Sequence, residues 1–114
     1  MTRIDAVFTF DASATTAPVH LCSENGCAEI VIAKLPNFTN AITATVTVKD
    51  ADDNVLWTKA TIANNTSTKY GNGPDGVSSG CIPIANNYKI TCVLSGAAGG
   101  TGGTVHAYFY VEGD

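Results

Sequence analysis

The sequence is short of charge. Six of its 114 residues are Lys or Arg and ten are Asp or Glu, giving a formal net charge of −4 and a charged fraction of 14%. An average soluble domain carries roughly 25%. Six scattered cations make no basic patch, which argues against nucleic acid and against an anionic membrane surface as partners. Apolar runs of membrane-spanning length are also missing. The opening Met1-Thr2-Arg3-Ile4-Asp5 lacks the continuous apolar stretch of a secretory signal, so the chain is expected to be made in the cytoplasm. No segment sustains a helical period. What fills the space is neutral: 15 Thr, 9 Asn and 11 Gly, with 45% apolar residues that argue against global disorder. The length suits one domain over 1–114 that buries roughly two-thirds of its unfolded surface.

Alternation is the dominant pattern. In Ala41–Lys49, Ile42, Ala44, Val46 and Val48 share one face and Thr43, Thr45 and Thr47 the other. Period two with β-branched residues is the mark of a half-buried strand. Folding this run against Val55–Ile62 predicts a hairpin with Lys49 opposite Val55, Val48 opposite Leu56, Val46 opposite Thr58 and Ile42 opposite Ile62. A slip of one residue would set Val46 beside Lys59. In that register Trp57 falls on the threonine face beside Thr47. A second hairpin is expected over Val19–Ile32, with Cys22 opposite Cys27, Leu21 opposite Ala28 and His20 opposite Glu29. Ile4–Phe10, Tyr88–Leu94 and Val105–Val111 alternate in the same way. Ile82-Pro83-Ile84-Ala85-Asn86-Asn87-Tyr88 fits a chain crossing between two sheets; a hairpin at Asn86-Asn87 would place Pro83 in a ladder position that needs an N–H. About seven short strands predict an all-β, two-sheet antiparallel β-sandwich, immunoglobulin-like or jelly-roll-like. Asn64–Gly80 is read as a long patternless loop.

Motifs for chemistry are sparse. Asp50-Ala51-Asp52-Asp53-Asn54 opens like a calcium loop, but Val55 and Thr61 stand where that loop needs Gly and Glu. Asp and Asn are also what a tight turn selects, and the turn is the expectation. The spacings Cys22-x₄-Cys27 and Cys81-x₁₀-Cys92 fit zinc poorly. Cys92 is expected as a buried thiol, and Cys22 and Cys27 as a pair able to bridge in an oxidising compartment, though reduced thiols are favoured without a secretory signal. His20 and His106 fall on solvent-side faces with no adjacent nucleophile. Gly99-Gly100-Thr101-Gly102-Gly103 lacks the ending of a phosphate loop. Asn37, Asn64 and Asn65 each open a glycosylation acceptor triplet, which matters only on secretion. No catalytic residue, metal site or cofactor is expected.

The aromatic residues are more telling. Trp57, Tyr108 and Tyr110 fall on faces that alternation assigns to solvent, and Tyr70 lies in the long loop. Aromatics on a polar face mark contact surfaces, either for a protein partner or, by stacking, for sugar rings. These four are the candidate partner-contact residues.

Four stretches also carry a resemblance: Ile4-Asp5-Ala6-Val7-Phe8-Thr9-Phe10; Val46–Trp57; Ile82-Pro83-Ile84 with Tyr88-Lys89-Ile90-Thr91; and Gly103–Glu112. Together they make the chain similar to the small β-sandwich virion proteins of tailed bacteriophages. The resemblance implies a structural role, most often capsid decoration or cement, with the major capsid protein or another virion protein as partner. It also implies a homo-oligomer, commonly a trimer, and a place in the virion after synthesis in the host cytoplasm. No catalytic residue carries over. A carbohydrate-binding or adhesion module, in a tail or at a cell surface, is the alternative expectation.

Overall fold

The alternating segments become strands because period two sends apolar side chains to one side of a pleated backbone. The computed structural model describes residues 2–70 and 81–112, and nine strands run through them: β1 (Thr2–Phe10), β2 (His20–Leu21), β3 (Gly26–Lys34), β4 (Thr43–Lys49), β5 (Val55–Ala63), β6 (Ser67–Tyr70), β7 (Ile82–Ile84), β8 (Lys89–Leu94) and β9 (Gly103–Glu112). Among the described residues there is no helix. One sheet has the order β1-β9-β3-β6, with β7 also on β3; the other runs β2-β8-β4-β5. All pairings are antiparallel. The protein is a two-sheet β-sandwich, as alternation predicts, with more strands than expected because β2, β6 and β7 are only two to four residues long.

Both inner faces meet in one core. Phe8, Phe10, Val105 and Phe109 come from the first sheet, and Val46, Val48, Ile62, Ile90 and Cys92 from the second. Phe10 meets Phe38 edge-on, and Trp57 meets Phe109 edge-on at 6.0 Å between centroids. The alternation in β1, β4, β8 and β9 is reproduced residue for residue.

The chain crosses between sheets at Ala85–Tyr88, as the corner reading expects: β7 ends in the first sheet and β8 begins in the second. Tyr88 packs against the core, and Asn87 takes the left-handed conformation with φ 71°.

Three expectations are corrected. The Val19–Ile32 hairpin does not form. The Cys22 N–H donates to the Tyr88 carbonyl and the Cys22 carbonyl accepts from the Asn87 N–H, so this segment stays beside β8 while β3 joins the other sheet. His20 and Glu29 therefore lie in different sheets. Cys22 points inward and Leu21 is 59% exposed, the reverse of the expected faces. Secondly, the stretch read as a loop from Asn64 holds β6, which pairs with Val31–Lys34 of β3; residues 71–80 lie outside the described residues. Thirdly, the β4–β5 ladder keeps Lys49 opposite Val55, then skips Leu56. Val48 faces Trp57 and Val46 faces Lys59, the slip that alternation argues against. A second irregularity, with Thr61 at φ 57°, returns Ile62 to the core opposite Ala44. The cause is size. Turning Trp57 inward buries far more apolar surface than Leu56, and a bulge accommodates the extra residue at an edge strand.

Candidate functional site

The outer face of the five-stranded sheet is built by register. Arg3, Tyr110 and Ile30 form one row across β1, β9 and β3. Asp5, Tyr108, Ile32 and Lys69 form the next, and Val7, His106, Lys34 and Ser67 the third. Each row continues because strands in register place like-parity side chains on one face. Val7 is 49% exposed; Ile30, Ile32, His106, Tyr108 and Tyr110 are half-buried by one another. The result is an apolar and aromatic strip with Arg3 and Asp5 on one flank and Lys34 and Lys69 on the other.

The rings of the strip contact their neighbours. The Arg3 guanidinium lies 4.8 Å from the Tyr108 ring centroid, and His106 stacks on the same ring at 5.9 Å and 17°. Arg3 and His106 occupy rows on either side of Tyr108, so the ring is flanked along the strand. Arg3 also donates to both carboxylate oxygens of Asp5, at 2.7 and 3.0 Å. Hydrogen bonding to the Tyr110 side chain, and then to Asp5, raises the Arg3 pKa above its ordinary value. A fixed guanidinium beside two tyrosines is a common feature of protein-binding surfaces.

The structure brings together two of the four expected aromatics. Tyr108 and Tyr110 occupy the solvent side of β9, as alternation places them. Trp57 does not: it is 3% exposed, and its indole N–H has no hydrogen-bond partner among the described residues. The bulge at Leu56 accounts for the error. Tyr70 closes β6 opposite Val31 and is not in a loop; its side chain lies outside the described residues. The sequence reading missed Val7, Ile30 and Ile32. The available signal was the unbroken run Ile30-Val31-Ile32-Ala33, because a strand without alternation has two apolar faces. The irregularity between Ala28 and Ile30 hid it.

The cysteines pair differently from the expectation. Cys27 bonds to Cys81, 54 residues away, and Cys22 and Cys92 are buried free thiols. Cys22 cannot reach Cys27 as a cross-strand neighbour, since the two lie in different sheets. Burial pushes Cys22 up to about 11 and Cys92 up to about 12. Reduced thiols were favoured, with a Cys22–Cys27 bridge as the alternative; a Cys27–Cys81 bridge and two buried free thiols are present.

The Asp50–Asn54 segment is a turn. The Asp50 carboxylate accepts from the N–H groups of Asp52 and Asn54 and from Asn54 Nδ2, all at 2.9 Å. These donors, with Asn54 first, hold Asp50 below the usual carboxylate range. Lys89 Nζ sits 2.7 Å from Asp53 and lowers that carboxyl too. The local polar network thus engages both Asp50 carboxylate oxygens and one of Asp53. No group of three metal-ligating side chains occurs among the described residues. His20 and His106 lie on different sheets and are not brought together. Asn64 is committed to structure: its side chain accepts from the Phe38 N–H and donates to the Phe38 carbonyl.

Comparison with protein-family models, with curated proteins and with solved structures finds no match.

Proposed function

We propose that this protein is a structural binding module of a phage particle, of the capsid decoration type. In this reading the outer face of the β1-β9-β3-β6 sheet is the surface that meets the shell. The observation that carries it is the strip of Val7, Ile30, Ile32, Tyr108 and Tyr110 on a face that alternation alone would make polar. Such a flat surface suits many modest contacts, repeated by the symmetry of a shell, better than it suits one deep pocket. Low charge suits a partner of mixed polarity. Sugar stacking is less well served, because it needs an open aromatic face and the Tyr108 ring is flanked by Arg3 and His106.

The test is add-back. Shells assembled without the protein are mixed with the wild type or with Tyr108→Ser/Tyr110→Ser, and bound copies and heat resistance are measured. Wild type is expected to bind and restore resistance, and the double variant to bind at least about tenfold more weakly, the loss typical of removing an aromatic anchor. Shells that are fully robust without the protein and retain no copies of it refute the proposal.

A further inference from the structure

We infer that β1 is the edge through which two copies of this chain join, antiparallel, about a two-fold axis beside Ile4. This goes beyond the shell-facing reading and uses a different surface, the open backbone edge next to the aromatic strip. It also replaces the trimer that the resemblance implies with a dimer.

The two sheets have four edges. An open edge presents unpaired N–H and C=O groups, and proteins blunt such edges with short strands, bulges, proline, or charged side chains on the edge or pointing inward; the two charges of β1, Arg3 and Asp5, are of opposite sign and paired with each other. Three edges here are blunted. β2 is two residues long. β5 carries two register shifts, and Lys59 stands opposite buried Val46. On the far side of β3, β6 and β7 are four and three residues long, and β7 contains Pro83. β1 is different. Its nine residues pair one to one with β9, with no shift from Thr2 to Phe10. It holds no Pro, Gly or Lys, and among the described residues no other strand pairs with it. Because backbone groups alternate sides, about half its N–H and C=O groups point away from β9.

Charge complementarity favours a second copy as the occupant and, among the registers centred on Arg3, Ile4, Asp5 and Ala6, the one centred on Ile4. Pairing that keeps the buried parity of Ile4, Ala6 and Phe8 on one face allows only registers centred on a residue. Centred on Arg3, each Arg3 opposes the second copy's Arg3. Centred on Asp5, each Asp5 opposes the second copy's Asp5. Centred on Ala6, Asp5 opposes Val7. Centred on Ile4, each Arg3 opposes the second copy's Asp5, twice by symmetry, and the in-chain Arg3–Asp5 pair closes an alternating square of four charges. A two-fold strand pairing is self-complementary and closes at two copies. It would merge two five-stranded sheets and set both aromatic strips on one continuous surface.

The test is the mass of the isolated protein by sedimentation equilibrium across a concentration series, at low salt and at about 0.5 M salt, where surface charge is screened. A monomer–dimer equilibrium that weakens with salt is expected. Arg3→Asp and Asp5→Arg, each alone, should weaken self-association at least about tenfold, as like charges then face one another. An equimolar mixture of the two variants should recover a dimer of mixed composition. A wild type that stays monomeric, a trimer, or a dimer indifferent to both substitutions overturns the inference. Should either variant fail to fold, hydrogen exchange on the wild type decides. Alternate amides of β1 should slow as concentration rises, and no change in β1 overturns the inference. Shell binding plays no part in these readouts, so failure here and failure of the shell-facing reading remain distinct.

Discussion

The two sheets present opposite outer faces. On the β1-β9-β3-β6 sheet the solvent side carries Tyr108, Tyr110, Ile30, Ile32 and Val7. On the β2-β8-β4-β5 sheet it carries Thr43, Thr45, Thr47, Thr58 and Thr91, with the Thr47 and Thr58 hydroxyls 3.0 Å apart, together with exposed Leu21, Val55 and Val93 but no aromatic among the described residues. Both inner faces are alike, since one core needs only apolar volume. The outer faces differ because nothing in folding demands aromatics there. Threonine on a strand satisfies β propensity at little hydrophobic cost, so the threonine face is what a sheet does with unused solvent surface. The aromatic face departs from that baseline, and the proposed shell-facing role rests on that departure. The aromatic sheet's β1–β9 ladder is also unbroken, while the threonine sheet absorbs its irregularities at β5.

The sharpest test of that comparison is the residue which changed faces. Trp57 is buried against Phe109, and its neighbour Leu56 is 36% exposed. Trp57→Ala should destabilise by about 3–5 kcal/mol, the usual cost of removing a large buried aromatic. Leu56→Ala should cost under about 1 kcal/mol, as surface truncations do. Urea denaturation of both variants checks the ordering. If Leu56→Ala proved the costlier, Trp57 would belong to the outer face after all, and the threonine sheet would have an aromatic of its own.

How legible each sheet was follows from the same irregularity. Period two survives wherever the ladder is unshifted, so the faces of β1, β4, β8 and β9 can be read directly, and Tyr108 and Tyr110 with them. A bulge adds one residue to one strand and inverts every face beyond it. Nothing local in Val55-Leu56-Trp57 announces that inversion, because both parities offer an apolar residue. Sheet membership was equally hidden. Cys22 and Cys27 look like hairpin neighbours in sequence, but the partners that hold Cys22 are the backbone of Asn87 and Tyr88, more than sixty positions on. The bridge from Cys27 to Cys81 follows from that long-range topology, which spacing does not encode.

Next in size is the bridge. It closes a loop of 54 residues between β3 and the start of β7, both in the aromatic sheet. On a chain-entropy basis such a closure contributes at most about 4 kcal/mol. Reduction, or Cys27→Ser/Cys81→Ser, should lower stability by up to that amount, read as a drop in Tm. Cys22 and Cys92, both buried in the core on the β2–β8 side of the threonine sheet, should resist thiol reagents in the folded protein. Their pKa values are raised by burial from an ordinary 9.0 to about 11 and about 12. Above pH 9 the unfolded chain loses these protons while the folded one keeps them. Stability should therefore be fully present below pH 9 and fall as pH rises towards 11 and 12. Replacing both by Ala should flatten that alkaline decline; an unchanged slope would assign it to other groups.

The smallest expected effect lies on the threonine face, and its smallness is informative. Thr47→Val leaves the Thr58 hydroxyl without that partner, though Thr58 also donates to the Val46 carbonyl at 3.4 Å. The single change should cost up to about 1 kcal/mol, and Thr47→Val/Thr58→Val together within about 0.5 kcal/mol, since losing both partners of a bond leaves neither unsatisfied. Valine keeps the branched shape that the strand prefers, so the face stays flat. In the add-back assay this double variant should bind as the wild type does, while Tyr108→Ser/Tyr110→Ser should not. Equal loss of binding from both pairs would mean that the partner reads the whole sandwich, and the contrast between its two outer faces would then carry no functional meaning.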